Sequence, residues 1–343
     1  MKRYLIYGAG AIGGAMGGQL MQAGAEVTFI ARGLNFVALE RHGLRIETPD
    51  SDQTFAVNVF KHPSEARIQR DDVVVLAMKT QDTAQALQDL SGAAPRDIAI
   101  LCAQNGVENE RLALRHFANV YGAFVFIASA HLKPGVIAIH SAPSEGVIDI
   151  GGIPHGDGPF GQALARDLRL AGFDAEARPD IMAWKREKLL LNLLNASQAI
   201  CGSSIEDVSD LGMIARREGE VCLDAAGLPR APAEEVARRI ARTQPFKTVN
   251  GKPFPGGSSW QSLQRGAPAN EVAYLSGEIV LLGRLLNIPT PVNTLLYETV
   301  SHMARSRLKP GFLRLDELRA RIREVSSSVS FDDAEPASGN QHV

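Results

Sequence analysis

A lysine and two asparagines interrupt the leucine-rich stretch KREKLLLNLLNA at residues 185–196. On a helix of about 100° per residue with Lys188 at zero, Asn192 falls near 40° and Asn195 near −20°. All three share one narrow face, while Leu189, Leu190, Leu191, Leu193 and Leu194 cover the rest. A helix that is apolar nearly all round is a buried one. An amine and two amides buried without partners cost several kcal/mol. The face must therefore meet something polar inside the protein: a satisfied network, a wet groove, or a substrate in a catalytic cleft. Lysine suits the last role, because burial lowers its pKa toward neutral pH, where it can hand over a proton. Lys185 lies near 60° on the same wheel, but in the KRE cluster at the helix start, where charge is expected to be solvated.

A second group of chemistry-bearing residues opens the chain. Residues 8–13 read GAGAIG directly after the apolar run YLIY. In a strand–turn–helix, Gly8 permits the tight turn, Gly10 lets backbone approach a pyrophosphate, and Gly13 lets helix and strand pack closely. The helix N-terminus over Ala9, Ala11 and Ile12 supplies free N–H groups and the positive dipole end. Dinucleotide binding is the expectation. The next strand, EVTFI, runs into Ala31-Arg32, where NAD-binding chains usually carry an acidic residue. An arginine there is either a solvated strand end or a bidentate partner for a 2′-phosphate, and we read it as favouring NADP(H). Two further strand ends carry Lys79-Thr80 and, in CAQNGVEN, Asn105-Gly106. Ligands of open α/β sheets lie beyond such ends. Lys79 is expected near the phosphates or nicotinamide, and Asn105 near the nicotinamide ribose or the substrate.

The elements that must position these groups follow from periodicity. YLIY (4–7), EVTFI (26–30), DVVVLAM (72–78), IAIL (98–101) and VYGAFVFI (120–127) are continuous apolar strands separated by helical patterns, as in a parallel sheet covered on both faces. GVIAIH (135–140) and GVIDIG (146–151) read as an antiparallel hairpin, followed by a helix at 160–171 and a strand near 173–177. After Pro179 helical periodicity dominates, over 180–200, 209–226, 232–243, 270–286 and 291–305. The fold class expected is α/β: an N-terminal Rossmann-type doubly wound sheet plus an all-α C-terminal domain. The boundaries expected are 1–177 for the NADP-binding domain, 178–325 for the helical substrate domain and 326–343 for a disordered polar tail.

Composition sets limits on partners. The 343 residues are 45% apolar and 22% charged with net charge −2, which gives no sign of nucleic acid or an anionic membrane as partner. Three scattered cysteines (Cys102, Cys201 and Cys222) and no CxxC argue for reduced thiols in a cytoplasmic protein. The eight histidines form no HxxxH or HExxH pattern, so no metal is expected. The basic-then-apolar N-terminus is better explained as the first strand and glycine turn than as a signal peptide. Cys102, Trp184 and Trp260 are expected to pack. The apolar C-terminal helices are compatible with a homodimer face or with a single core.

GAGAIG, FIAR, MKT, QNGVEN and the Lys-x3-Asn helix, in this order, resemble the ketopantoate reductases (2-dehydropantoate 2-reductases). The stretch 257–297, GSSWQSLQRGAPANEVAYLSGEIVLLGRLLNIPTPVNTLLY, is similar to the family's serine-pair segment, Glu-x-x-Tyr-Leu helix and PTPVN turn. The resemblance covers about residues 1–305. It implies NADPH on a Rossmann domain and a 2-oxo acid in the cleft against the helical domain. It further implies Lys188 as proton donor, and Asn105, Asn192, Ser259 and Glu271 as substrate-binding residues, with Asn195 on the same face. The chain departs from the family pattern at Asn195, three rather than four residues after Asn192. It also has Ser262 where an aspartate is usual, and Ala273 and Ser276 in the Glu-x-x-Tyr helix. Two other readings stay open. One is a reductase or dehydrogenase of the same mechanism with a different oxo or hydroxy acid, as in the similar β-hydroxyacid dehydrogenases. The other is a non-catalytic NADP-binding sensor.

Overall fold

The computed structural model describes residues 1–268 and 270–327. The expected tail, 326–343, lies outside the described residues from 328 onward. The strands are β1 (Tyr4–Tyr7), β2 (Val27–Ile30), β3 (Leu44–Glu47), β4 (Asp52–Phe55), β5 (Asn58–Phe60), β6 (Val73–Leu76), β7 (Ala99–Cys102), β8 (Asn119–Phe126), β9 (Ser129–Lys133), β10 (Val136–Ile139) and β11 (Val147–Gly152). The helices that accompany them are α1 (Ala11–Gln22), α2 (Gly33–His42), α3 (Thr83–Ser91), α4 (Asn109–Leu114) and α5 (Pro159–Leu170). Then come α6 (Ile181–Asn192), α7 (Leu194–Cys201), α8 (Ser209–Ala225), α9 (Ala233–Ala241), α10 (Ser258–Gln264), α11 (Ser276–Leu286), α12 (Pro291–Arg305) and α13 (Leu315–Ser327).

The main sheet has the order β11-β8-β7-β6-β1-β2-β5, parallel except for the antiparallel edge strand β11. The chain reverses its direction of travel between β1 and β6. At such a switch point the carboxyl ends of neighbouring strands leave a crevice. Fully buried runs such as VVVL in β6 and AILC in β7 carry apolar layers on both faces. Helices α6–α8 and α10–α13 enclose a separate core that includes Leu189, Leu193, Leu296 and Val300, while α9 packs with Phe124 and Val147 of the main sheet.

The expected hairpin of 135–140 with 146–151 does not form. β10 belongs to a second sheet, β4-β3-β10-β9, whereas β11 pairs with β8. The hairpin is instead β9–β10, turned at Lys133-Pro134-Gly135 with Gly135 at φ 74°. Residues 173–177 make only isolated bridges to β11, through Asp174 and Ala177. The 180–200 helix is interrupted at Leu193, though the backbone there stays right-handed, so Asn192 and Asn195 keep a common side. The 270–286 element begins as a 3-10 turn over Glu271–Tyr274, breaks at Leu275 and resumes as α11.

Helix α1 lies between the two sheets. Side-chain carbons added at Gly14, Gly17 and Gly18 meet Ile137 of β10, Phe29 of β2 and Ile46 of β3 at 2.5–2.6 Å. Two further features tie the helices to the main sheet. Trp184 packs edge-on against Phe124, with centroids 5.6 Å apart, and the Arg178 guanidinium lies over the indole ring at 3.7 Å. The fully buried Asp149 of β11 accepts from Arg178 Nε at 2.7 Å and from Arg239 Nη2, on α9, at 2.6 Å. Among the described residues no helix is long and apolar enough to cross a membrane.

Candidate active site

The glycine turn has the geometry its sequence requires. Gly8 has φ 104°, and a side chain there would collide with the Met78 backbone at 2.5 Å. A carbon on Gly13 would stand 2.1 Å from the Gly8 carbonyl. A carbon on Gly10 meets nothing within 4 Å, so the backbone between these two tight contacts faces open space. Among the described residues no side chain caps the N-terminus of α1, and its first turn carries no acidic residue. The loop is held from behind, where Asn35 Nδ2 donates to the Ala9 carbonyl at 2.7 Å. An uncapped helix start beneath an open glycine cradle fits a dinucleotide pyrophosphate.

Gly10, Ala11 and Ile12 form one wall of a cavity of about 260 Å³. Lys79, Gln104 and Asn105 line it from the ends of β6 and β7, and Lys188, Asn192, Asn195 and Glu271 line it from the helical side. The stripe singled out in the sequence therefore faces this cavity. Helix α6 is laid along β8, which brings the Lys188 ammonium to the Val125 carbonyl, as its donor, and 5.7 Å from the centre of the Phe124 ring. Burial pushes the Lys188 amine down to about 7; repulsion from Lys185 adds to this, and Glu271 opposes it. Asn195 Nδ2 donates to Asn192 Oδ1 at 3.4 Å, while the buried Nδ2 of Asn192 has no partner among the described residues. An unmet donor of this kind costs about 1–3 kcal/mol.

Glu271 is buried where the helical half meets the β6 end. Its Oε1 accepts from the Thr80 N–H at 3.2 Å and the Thr80 hydroxyl at 3.3 Å. Burial raises its pKa, and the neighbouring Lys79 pulls it back. Burial lowers that of Lys79, against the pull of Glu271. The Lys79 amine donates to Ser262 Oγ, so the serine standing where the family pattern has an aspartate is in contact with the cavity lysine.

Two expectations change, and a third residue, Arg32, is placed at the surface. Lys185 is not solvated: its side chain is 2% exposed, pairs with Glu110 at 2.5 Å and donates to the Gln104 carbonyl at 3.0 Å. Ser259 does not line the cavity; its hydroxyl is turned to Asn270 Oδ1 at 3.4 Å, and the adjacent Ser258 takes the lining position. Arg32 lies outside the cavity wall, at the start of α2, 79% exposed and paired with Asp82 at 2.5 Å. Cys102 is buried in the core, as expected.

The sequence reading missed Gln261, His131 and Arg265, which also line the cavity. Arg265 Nη1 donates to the His131 carbonyl at 2.7 Å, and Gln261 Nε2 donates to the Ser129 carbonyl at 3.1 Å. Burial and the nearby Arg265 hold His131 neutral, with its pKa lowered to about 4. It also missed an aromatic wall. Phe126, Phe246 and Phe254 line the cavity together, with centroids 6.2 Å apart for Phe126–Phe246 and 5.3 Å for Phe246–Phe254.

Comparison with known proteins bears on this arrangement. The sequence matches the family described as Ketopantoate reductase PanE/ApbA over residues 4–154, and that family's C-terminal region over residues 180–304. A relative from Pyrococcus horikoshii named 2-dehydropantoate 2-reductase is 27% identical over 309 residues, covering 88% of this chain and 96% of the relative. One of the same name from Archaeoglobus fulgidus is 29% identical, covering 88% and 97%. The crystal structure of a PanE/ApbA family ketopantoate reductase from Ralstonia eutropha is 30% identical with a TM-score of 0.73, covering 89% of this chain and 99% of that one. A D-mandelate dehydrogenase solved with NADH and anilino(oxo)acetate is 20% identical with a TM-score of 0.75, covering 89% and 99%, a likeness of fold alone. The Rossmann-type sheet, the helical half and these matches together place the chain in the PanE/ApbA ketopantoate reductase family of oxidoreductases.

Proposed function

We propose that this protein reduces a 2-oxo acid with NADPH, that 2-dehydropantoate is its substrate, and that Lys188 is the general acid. The carrying observation is the meeting of Lys188 and the unpartnered Asn192 amide with the open glycine turn on one cavity. The relatives' shared name, 2-dehydropantoate 2-reductase, supplies the substrate. Gly8, Gly10, Gly13 and the N-terminus of α1 would hold the pyrophosphate, with Lys79 and Asn105 further along. Arg32, itself exposed, would exchange its partner Asp82 for a 2′-phosphate, which favours NADPH over NADH. A reduced nicotinamide, when bound, supplies the hydride that reaches C2 of the oxo acid.

The chain's own groups handle the charge that follows. Lys188, held near 7, is in part protonated at neutral pH and gives its Nζ proton to the oxygen that becomes the hydroxyl. Asn192 Nδ2 donates to the substrate and so satisfies a group otherwise orphaned. Asn105 and Asn195 border the same space. Glu271 keeps one oxygen beyond its Thr80 bonds and accepts from a substrate hydroxyl there. Ser258, by its position, takes the contact that the resemblance gave to Ser259.

The aromatic wall favours a second reading. It begins at Phe126, next to the Val125 carbonyl that holds Lys188. A 2-oxo acid bearing a larger apolar group would bury it against Phe246 and Phe254. Loss of reduced-nicotinamide absorbance tests both readings, with ketopantoate, 2-oxoisovalerate and phenylglyoxylate each offered NADPH or NADH. Fast turnover of ketopantoate with NADPH upholds the first reading, and preference for an apolar oxo acid the second. Retained NADPH binding with no turnover of any of them would leave only a nucleotide-binding role.

A further inference from the structure

Two consecutive residues of α4 are wholly buried, and each holds a different part of the cavity rim. Asn109 Nδ2 donates to the Thr80 hydroxyl at 3.2 Å and to the Asn105 carbonyl at 3.0 Å. Glu110 instead pairs with Lys185 of α6, at 2.5 Å. Neither Glu110 oxygen has any other hydrogen-bond partner among the described residues. Lys185 also donates to the Gln104 carbonyl, one residue before the cavity-lining Asn105. It stands one turn ahead of Lys188 on the same helix.

A buried ion pair is poor evidence of stabilisation, since an apolar pair of similar shape is often as stable. Its place in this fold suggests another use. We propose that the Lys185–Glu110 pair is a positioning device for the reaction. It clamps the helix that carries Lys188 and Asn192 to the loop that carries Asn105, and it fixes a positive charge one turn from the Lys188 amine, easing release of its proton. This rests on Lys188 acting as the general acid.

The other charged groups around the cavity come from different elements. Glu271, before α11, opposes Lys185, while Lys79 and Arg265 line the same cavity. The titratable His131 of β9 lines this cavity too, and the amine also meets the Phe124 ring and the Val125 carbonyl of β8. Lys185 is thus the positive charge on α6 itself that bears on Lys188, and it is held in place by Glu110.

The test compares wild type with Lys185→Arg and with the double variant Lys185→Met/Glu110→Gln, which leaves no buried charge unpaired. The first readout is acetylation of Lys188 by trace acetic anhydride across pH, followed by mass spectrometry of its peptide, since only the free amine reacts. The second is the pH profile of kcat for ketopantoate reduction. The double variant should move the Lys188 midpoint upward by about one pH unit, and Lys185→Arg should leave it in place. The kcat profile should move with it. An unmoved midpoint in the double variant overturns the proposal, as does an equal shift in Lys185→Arg, which would implicate packing rather than charge. If Lys188→Ala keeps full turnover, the general-acid reading falls by itself, while the labelling midpoint still reports the effect of the pair.

Discussion

Replacing Lys188 with methionine should make this protein more stable at neutral pH while abolishing its turnover. The native amine is held near 7, against an ordinary lysine value of 10.5 that the unfolded chain regains. Between those values the unfolded chain binds more protons than the native one, so stability climbs with pH across that window. Below pH 7 the native state carries the full penalty. A gap of about 3.5 decades, at about 1.4 kcal/mol per decade, sets a ceiling of roughly 5 kcal/mol. Methionine gives up the bond to the Val125 carbonyl, worth about 1 kcal/mol. The net expectation is a gain of roughly 2–4 kcal/mol at pH 7, shrinking to nothing near pH 10. Urea unfolding followed by tryptophan fluorescence measures this, because Trp184 is buried against Phe124 on the same helix. A gain at neutral pH that fades on the alkaline side would show that activity is maintained against stability at this position. Equal destabilisation at pH 7 and pH 9.5 would mean that Lys188 is charged and solvated in the native state, and the reasoning about its proton would fail.

Gly10→Ala and Gly13→Ala should separate binding from folding. The first meets open space and should leave the melting temperature unchanged while raising the Kd for NADPH at least tenfold, by calorimetry. The second drives a carbon into the Gly8 carbonyl and should lower stability by about 1–3 kcal/mol or more. Arg32→Ala should weaken NADPH by roughly 10–100-fold and NADH hardly at all, in parallel KM measurements; equal losses would remove the 2′-phosphate assignment. Asp149→Asn leaves two buried or half-buried guanidinium groups short of a carboxylate and should cost about 3–5 kcal/mol in urea unfolding.

What the sequence disclosed was what is local. The turn GAGAIG specifies its own geometry within six residues, and the Lys188–Asn192–Asn195 stripe is a property of one helix. Both lead to the same cavity without knowledge of the rest of the chain. Long-range pairing was not legible. Lys185 reads as one of three solvated charges until Glu110, 75 residues earlier, is brought against it. GVIAIH and GVIDIG are alike and adjacent, yet one pairs with β9 and the other with β8, and the Pro134-Gly135 turn that decides this was passed over. Strand β4, DQTF, has no apolar run to betray it. The choice between Ser258 and Ser259 turns on one residue of rotation in a seven-residue helix, finer than periodicity resolves. Arg265 and His131 sit in no motif; only the packing of α10 and β9 around the cavity marks them.

The small-residue face of α1 has a consequence for how the chain acquires its structure. Gly13, Gly14, Gly17 and Gly18 are all buried in a helix of twelve residues. Each costs about 1 kcal/mol of helix propensity relative to alanine. A segment so weak in isolation has no reason to be helical early, and it gains its packing only where Ile137, Phe29 and Ile46 already stand on either side. Those contacts come from strands separated by about a hundred residues, so both sheets must assemble before the helix is secured. The phosphate cradle at its N-terminus would then be among the last parts of the molecule to form. Hydrogen exchange during refolding should find the amides of 11–22 protected after those of β1, β6 and β7.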